Sequence, residues 1–231
     1  MRRDLGEGSR SYHQEADVYE EFSRAEDAQR KILRRLRRLV RGKRVVDIGC
    51  GTGKYAALLA AQTKSYTGID RSLEELRIAR KRAVHGHVRF LHADATALPL
   101  PAQSADLVLA SWVFGTIKTL SRRALALREA ERICAHGGRI IFIENDVGGS
   151  FERVRGRYPA VRRTQAYNRW LERHGLFVME RFTTTFGFST IADARRVIGA
   201  IWGTRAAARV RRAKIPHRIV IYTKRKAELI V

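Results

Sequence analysis

The sequence predicts an α/β protein built on a doubly wound, mostly parallel sheet, and two observations carry that reading. A β-branched run, Val45-Val46-Asp47-Ile48, ends against the glycine-rich turn Gly49-Cys50-Gly51-Thr52-Gly53, and an apolar stretch with helical spacing, Tyr55 to Ala61, follows. Beyond it, short apolar runs alternate with amphipathic ones as far as residue 144, the pattern of strands joined by crossover helices.

The turn is chemically specific. Gly49, Gly51 and Gly53 let the backbone bend sharply and approach a ligand closely. The helix that opens after them points unpaired N–H groups into the same space. The spacing is Gly-x-Gly-x-Gly with an acid two residues before the first glycine, whereas a dinucleotide site is Gly-x-Gly-x-x-Gly and cradles a pyrophosphate. A carboxylate at Asp47 would repel a pyrophosphate and suits a ligand with an ammonium group. Asp70 closes a second β-like run, Tyr66-Thr67-Gly68-Ile69, where a carboxylate can accept both hydroxyls of a ribose. An amino-acid end plus a ribose describes S-adenosylmethionine (SAM).

On these residues the chain resembles class I SAM-dependent methyltransferases, in particular the type 11 group of small Rossmann-like enzymes. The resemblance implies a seven-stranded sheet in the order 3-2-1-4-5-7-6 with an antiparallel seventh strand. It implies SAM as cofactor, held by Asp47, Gly49, Cys50, Gly51, Gly53 and Asp70. It also makes Asp94-Ala95 the segment that reads adenine, the acid accepting from the exocyclic amine. Arg71 departs from the pattern, since an apolar residue usually follows the ribose-binding acid; a guanidinium can stack on a purine instead.

Taken in order, residues 11–40 read as helical. Tyr12, Tyr19 and Phe22 can share a face, and Ile32, Leu33, Leu36, Leu39 and Val40 form an apolar stripe opposite a row of arginines. Tyr12 and Tyr19 resemble the N-terminal tyrosines that cover cofactor or substrate in small-molecule methyltransferases, and an aromatic core stripe is the competing reading. The domain expectation is an N-terminal helical cap over 1–40 and a SAM-binding domain over 41–231 with a basic insertion at about 147–173. Strands are expected at 44–48 and 65–69, with a helix over 71–80 that carries a Ser72/Glu75 capping-box pattern. A third strand spans 88–93, and a fourth starts at Ala105 and leaves through Ser111-Trp112-Val113-Phe114. Ser111 is assigned to the cofactor side, and Trp112 and Phe114 to the substrate.

Leu120–Ala135 is an amphipathic helix that Gly137-Gly138 should stop, and Arg139 to Glu144 form the fifth strand. Glu144 and Asp146, with His13, are the candidates to deprotonate an acceptor; capping a turn is the plainer role for the two carboxylates. Residues 150–173 are basic, helical and interleaved with aromatics. A sixth strand near 175–180, a short β-prone stretch at 183–188, helices at 191–201 and 205–212, and a last strand at 217–223 complete the chain.

No Asn/Asp-Pro-Pro-Tyr/Phe segment follows the fourth strand, which disfavours methylation of adenine or glutamine nitrogens. The two cysteines, Cys50 and Cys134, read as packing residues, which argues against a cysteine nucleophile and against a disulfide framework. No metal cluster with ligand spacing is evident, no run of eighteen apolar residues exists, and residues 1–6 lack an apolar signal region, so a cytoplasmic protein without a membrane span is expected.

The formal net charge is +23, and residues 151–231 hold 19 Lys and Arg against 5 Asp and Glu. Such an excess is either compositional or a footprint for an acidic partner. The reading is therefore a methyltransferase moving a methyl group to an O or N atom of a small-molecule acceptor. RNA methylation through the basic C-terminal third is the alternative, and a non-catalytic SAM- or RNA-binding protein is the alternative of another class.

Overall fold

A computed structural model describes residues 16–83 and 86–228. Its seven strands form one sheet in the order β3-β2-β1-β4-β5-β7-β6. The elements are α1 (Ala16–Ala25), α2 (Lys31–Val40), β1 (Arg44–Ile48), α3 (Lys54–Leu59), β2 (Ser65–Asp70), α4 (Leu73–Arg82), β3 (Val88–His92), β4 (Ala105–Ser111), α5 (Leu120–Ile133), β5 (Cys134–Asn145), α6 (Ser150–Arg155), α7 (Arg157–Arg173), β6 (Phe177–Gly187), α8 (Ile191–Trp202), α9 (Thr204–Arg209) and β7 (Lys214–Arg225). Strands β1 to β5 pair in parallel. β7 is antiparallel: Lys226 N–H donates to the Gly138 carbonyl, and Asp146 N–H donates to the Arg218 carbonyl, so the two strands run in opposite directions. The expected strand order and the reversed last strand are both found.

The chain divides into two compact units. The first comprises Leu33–Glu144, Trp170–Glu180 and Val220–Val231. Its central strands are apolar on both faces, with Val45, Val46, Ile48, Tyr66, Ile69, Leu107 to Ala110 and Ile140 to Ile143 all buried, as a parallel sheet covered by helices requires. The start of β1 is clamped to β4: the Arg44 guanidinium and backbone N–H both donate to Asp106, the shortest contact being 2.7 Å. The second unit comprises the described parts of Met1–Ile32 with Asn145–Arg169 and Arg181–Ile219. Its core is aromatic: Phe22, Phe151 and Phe186 stack with centroids 4.5 to 6.3 Å apart, joined by Val197, Ile198 and Ile201 of α8.

Four local expectations are corrected. Residues 16–40 are two helices, because Asp27 and Arg30 adopt left-handed backbone angles between them. Asp27 is buried there, and its Oδ1 accepts from Lys31 N–H and from the Thr184 hydroxyl, each at 2.8 Å, so one side chain caps α2 and ties the break to β6. Gly137-Gly138 do not end α5. The helix stops at Ile133, and the glycines lie inside β5, whose register against β4 shifts between Ala105 and Leu107; a Cβ on Gly138 would come within 2.7 Å of the Ala135 carbonyl, which fits a bulge rather than a cap. The basic helical segment is interrupted at Gly156, with φ +101°. The two short β segments near 180 are one strand, β6.

Candidate functional site

The glycine turn is stapled to the end of β2. Gly49 and Cys50 N–H groups both donate to the Ile69 carbonyl, at 2.7 and 3.0 Å, and Gly51 N–H donates to Asp70 Oδ2 at 2.9 Å. Gly49, Gly51 and Gly53 all have positive φ. At Gly49 the requirement is steric as well, since a Cβ would lie 2.3 Å from Val113 Cγ2 in the loop leaving β4. Gly68, unremarked in the sequence, leaves room for the Cys50 thiol and the Phe90 ring, both within 2.8 Å of where its Cβ would stand. Cys50 is thus a packing residue. Burial, reinforced by the charges of Asp47, Asp70 and Glu75, pushes its thiol well above the ordinary range.

Asp47 is 2 % exposed. Its Oδ2 accepts the Tyr66 hydroxyl at 2.6 Å, while its Oδ1 is buried and has no hydrogen-bond partner among the described residues. Burial raises the Asp47 carboxyl to about 7, with Asp70 adding to the rise and the Tyr66 hydroxyl opposing it. A buried carboxylate with one oxygen unsatisfied fits a cationic group such as the ammonium of SAM. Asp70 holds its place by accepting from Gly51 N–H through Oδ2 and from Ser72 N–H through Oδ1; each oxygen keeps a lone pair for a further donor. Ser72 then caps α4, accepting from Glu75 N–H at 3.3 Å. Glu75 is buried, and burial with the Asp70 charge lifts its carboxyl to about 8.

Asp94 follows β3, where the neighbouring Ala93 N–H donates to the Asp70 carbonyl. Its Oδ1 accepts from the Thr96 hydroxyl and N–H, and its Oδ2 pairs with Arg122 at 2.7 Å. Burial pushes this carboxyl up, but those bonds outweigh it and the net shift is downward. Ala95 is half-buried beside it, and Arg71 is exposed, with its carbonyl 3.0 Å from His92 Nε2.

At the end of β4, the Ser111 hydroxyl is buried without a hydrogen-bond partner among the described residues. Trp112, half-buried, has φ +57°, and its N–H donates to the Ile143 carbonyl. A bulky residue in the left-handed region marks local strain of the kind found at functional loops. Phe114, expected to face substrate, is instead fully buried, 4.4 Å from the Phe142 ring; the turn after Trp112 directs it into the core.

Of the remaining candidates, Glu144 is buried at the end of β5. Asp146, in the second unit, accepts from Val147 N–H through Oδ1 and sits 3.3 and 3.6 Å from the Arg218 and Arg181 guanidiniums through Oδ2. Tyr19 is half-buried against Phe22 in the aromatic core. Tyr12 and His13 lie outside the described residues. Tyr66, Glu75 and Arg122 were missed. None of them carries a sequence signal for this site: Tyr66 reaches Asp47 only through the strand register that sets it opposite Val45 and aligns Asp47 with Gly68. Among the described residues no group of His, Cys, Asp and Glu could hold a metal ion, and no helix is long and apolar enough to cross a membrane.

Comparison with known proteins agrees with this fold. The methyltransferase domain family model matches residues 46–142. The ubiquinone/menaquinone biosynthesis C-methyltransferase of Rubrivivax gelatinosus is 38% identical over 103 residues, 45% of this chain and 39% of its own. The malonyl-[acyl-carrier protein] O-methyltransferase of Erwinia pyrifoliae is 28% identical over 214 residues, 87% of this chain and 74% of its own. The chain spans about two-fifths of the length of the first curated relatives it matches. A SAM-dependent methyltransferase structure from Aquifex aeolicus superposes with a TM-score of 0.60 at 15% identity, covering 90% of this chain and 97% of that one, which speaks to the fold. The sheet order and the acid-led glycine turn agree with these likenesses: the fold is that of the class I, Rossmann-like methyltransferases, and residues 46–142 are similar to the methyltransferase domain family.

Proposed function

We propose that this chain methylates a small-molecule acceptor at an oxygen or nitrogen atom. The observation that carries the SAM-dependent part of the reading is Asp47, a buried carboxylate with an unsatisfied oxygen beside a turn whose three glycines all have positive φ. Asp47 would hold the amino-acid end of SAM, the Gly49–Gly53 backbone its neighbouring groups, Asp70 the ribose hydroxyls, Asp94 and Ala95 the adenine, with Arg71 against the ring and Ser111 at the strand end. SAM, when bound, supplies a methyl group on a sulfonium that is already activated. The chain's residues then have to orient an acceptor and exclude water, which can provide much of the rate. A neutral amine attacks through its own lone pair and needs no dedicated base. An oxygen acceptor must lose a proton, and Glu144, Asp146 and His13 are the candidates for that role. Trp112 is assigned to the substrate.

The small-molecule assignment is supported by relatives such as the quinone C-methyltransferase of Rubrivivax. RNA as acceptor is the second reading, supported by 19 basic against 5 acidic residues over 151–231. Methyl transfer from radiolabelled SAM, offered separately to total RNA and to a small-molecule cell extract, decides between them. Label in neither fraction, with SAM still bound, would reject both in favour of a non-catalytic binder. Asp70→Ala should weaken SAM binding about a hundredfold, since it removes the ribose acceptor and releases Gly51 and Ser72 N–H together; unchanged affinity would sink the site assignment.

A further inference from the structure

A cavity of about 460 Å³ opens within the second unit, between the start of α6, the end of α9 and the start of β7. Five cations line it, Arg153, Arg209, Arg211, Arg212 and Lys214, and no acidic residue does among the described residues. Arg153 Nη2 donates to the Ser150 hydroxyl at 2.9 Å, and none of the five has an ion-pair partner among the described residues. Other cations of the chain are ion-paired, as in Arg44–Asp106, Arg122–Asp94, Arg132–Glu129, Arg196–Glu21 and Lys224–Glu131. Here it gathers like charges around a concavity, an arrangement that repels itself until an anion enters.

The floor is of a different character. Val154 and Ile215 are buried beneath the cations, and Pro216 adds an apolar edge. A site with a cationic rim and an apolar floor, of a volume usual for small-molecule pockets, fits an anion attached to an apolar or planar body. Guanidiniums match phosphate oxygens bidentately and can stack on a ring. An extended nucleic acid strand would ask instead for cations along a track, whereas these converge on one hollow.

We propose that this cavity binds a compact organic phosphate, with one to three phosphate groups against Arg153, Arg209, Arg211, Arg212 and Lys214 and an apolar or planar body over Val154 and Ile215. The proposal does not rest on the methyl-transfer reading, because none of these residues belongs to the glycine-turn site.

The test is fluorescence titration of the full chain with N-methylanthraniloyl-GDP, in saturating S-adenosylhomocysteine so that the glycine-turn site is not available to the probe. Saturable binding displaced by inorganic pyrophosphate is expected. Arg211→Glu/Arg212→Glu should weaken it by about tenfold or more. Arg37→Glu/Arg38→Glu on α2, an equal change of net charge outside the cavity, should alter it by less than about twofold. Should the first variant fail to fold by circular dichroism, Arg209→Gln/Lys214→Gln serves in its place. No saturable binding, or equal weakening by the two charge reversals, overturns the proposal. So does a twelve-nucleotide single-stranded RNA that binds more tightly than the GDP probe and loses affinity equally in both variants, because that describes a diffuse polyanion surface and not a pocket.

Discussion

SAM affinity should follow an acid limb set by Asp47. Burial holds this carboxyl at about 7 in the ligand-free chain, so near neutral pH it is only partly charged. A cationic ligand favours the charged form, and binding below that value must expel a proton. At pH 6 a group with a pKa of about 7 is ionised in roughly one molecule in eleven. If only the carboxylate binds, the dissociation constant there is about eleven times its limiting value, or about 1.4 kcal/mol; at pH 7 the factor is about two. Above about pH 8 the ligand's own α-amino group loses its proton and affinity falls again. The profile is therefore a bell with its acid limb near 7. Isothermal titration calorimetry from pH 5.5 to 8.5, in buffers of different ionisation enthalpy, reads both the affinity and the proton released. Asp47→Asn should flatten the acid limb. Tyr66→Phe, which removes the hydroxyl's hydrogen bond to the carboxylate, should move it to higher pH. Glu75, held at about 8 by burial, is the neighbour that could imitate this behaviour, and Glu75→Gln should leave the limb at 7 in place. An affinity flat from pH 5.5 to 7.5, or a limb that survives in Asp47→Asn, would refute the role given to Asp47.

Other perturbations have equally definite outcomes. Gly49→Ala places a Cβ 2.3 Å from Val113 Cγ2 at a φ of +70°, and should destabilise the fold by about 2 kcal/mol or more in urea; adding Val113→Ala should recover the steric part and not the backbone part. Asp27→Ala strips a buried acceptor from Lys31 N–H and the Thr184 hydroxyl, for a loss of about 2–3 kcal/mol in the same assay. His217 is buried between the Phe151 and Phe186 rings, and burial, then the Arg155 charge, lowers it to about 3. Its folded value lies below its unfolded one, so its contribution is present above about pH 6.5 and is lost as the pH falls. Between pH 7.5 and 5.5 wild type should lose about 1.4 kcal/mol more than His217→Gln; equal losses would contradict that account.

What the sequence determined by itself is the part of this protein written in local chemistry. The acid-led Gly-x-Gly-x-Gly turn names a ligand end, because backbone conformation and charge at Asp47, Gly49, Gly51 and Gly53 are properties of neighbouring residues. The alternating apolar runs named the strands, and the resemblance built on the turn supplied their order, 3-2-1-4-5-7-6, and the reversed last strand. Tertiary structure decided whatever depends on residues far apart in the chain. Gly137-Gly138 carry the same local signal whether they cap a helix or bulge a strand; pairing with β4 and with Lys226 chose the strand. Phe114 is apolar beside a functional loop, and only the position of Phe142 turned it into core. The perturbation of Asp47 has no sequence signature, since it comes from burial and from the Tyr66 hydroxyl on the next strand. The charge excess of residues 151–231 was visible as composition. That five of those cations surround one hollow without a carboxylate among them is a consequence of how α6, α9 and β7 converge, and no count of arginines contains it.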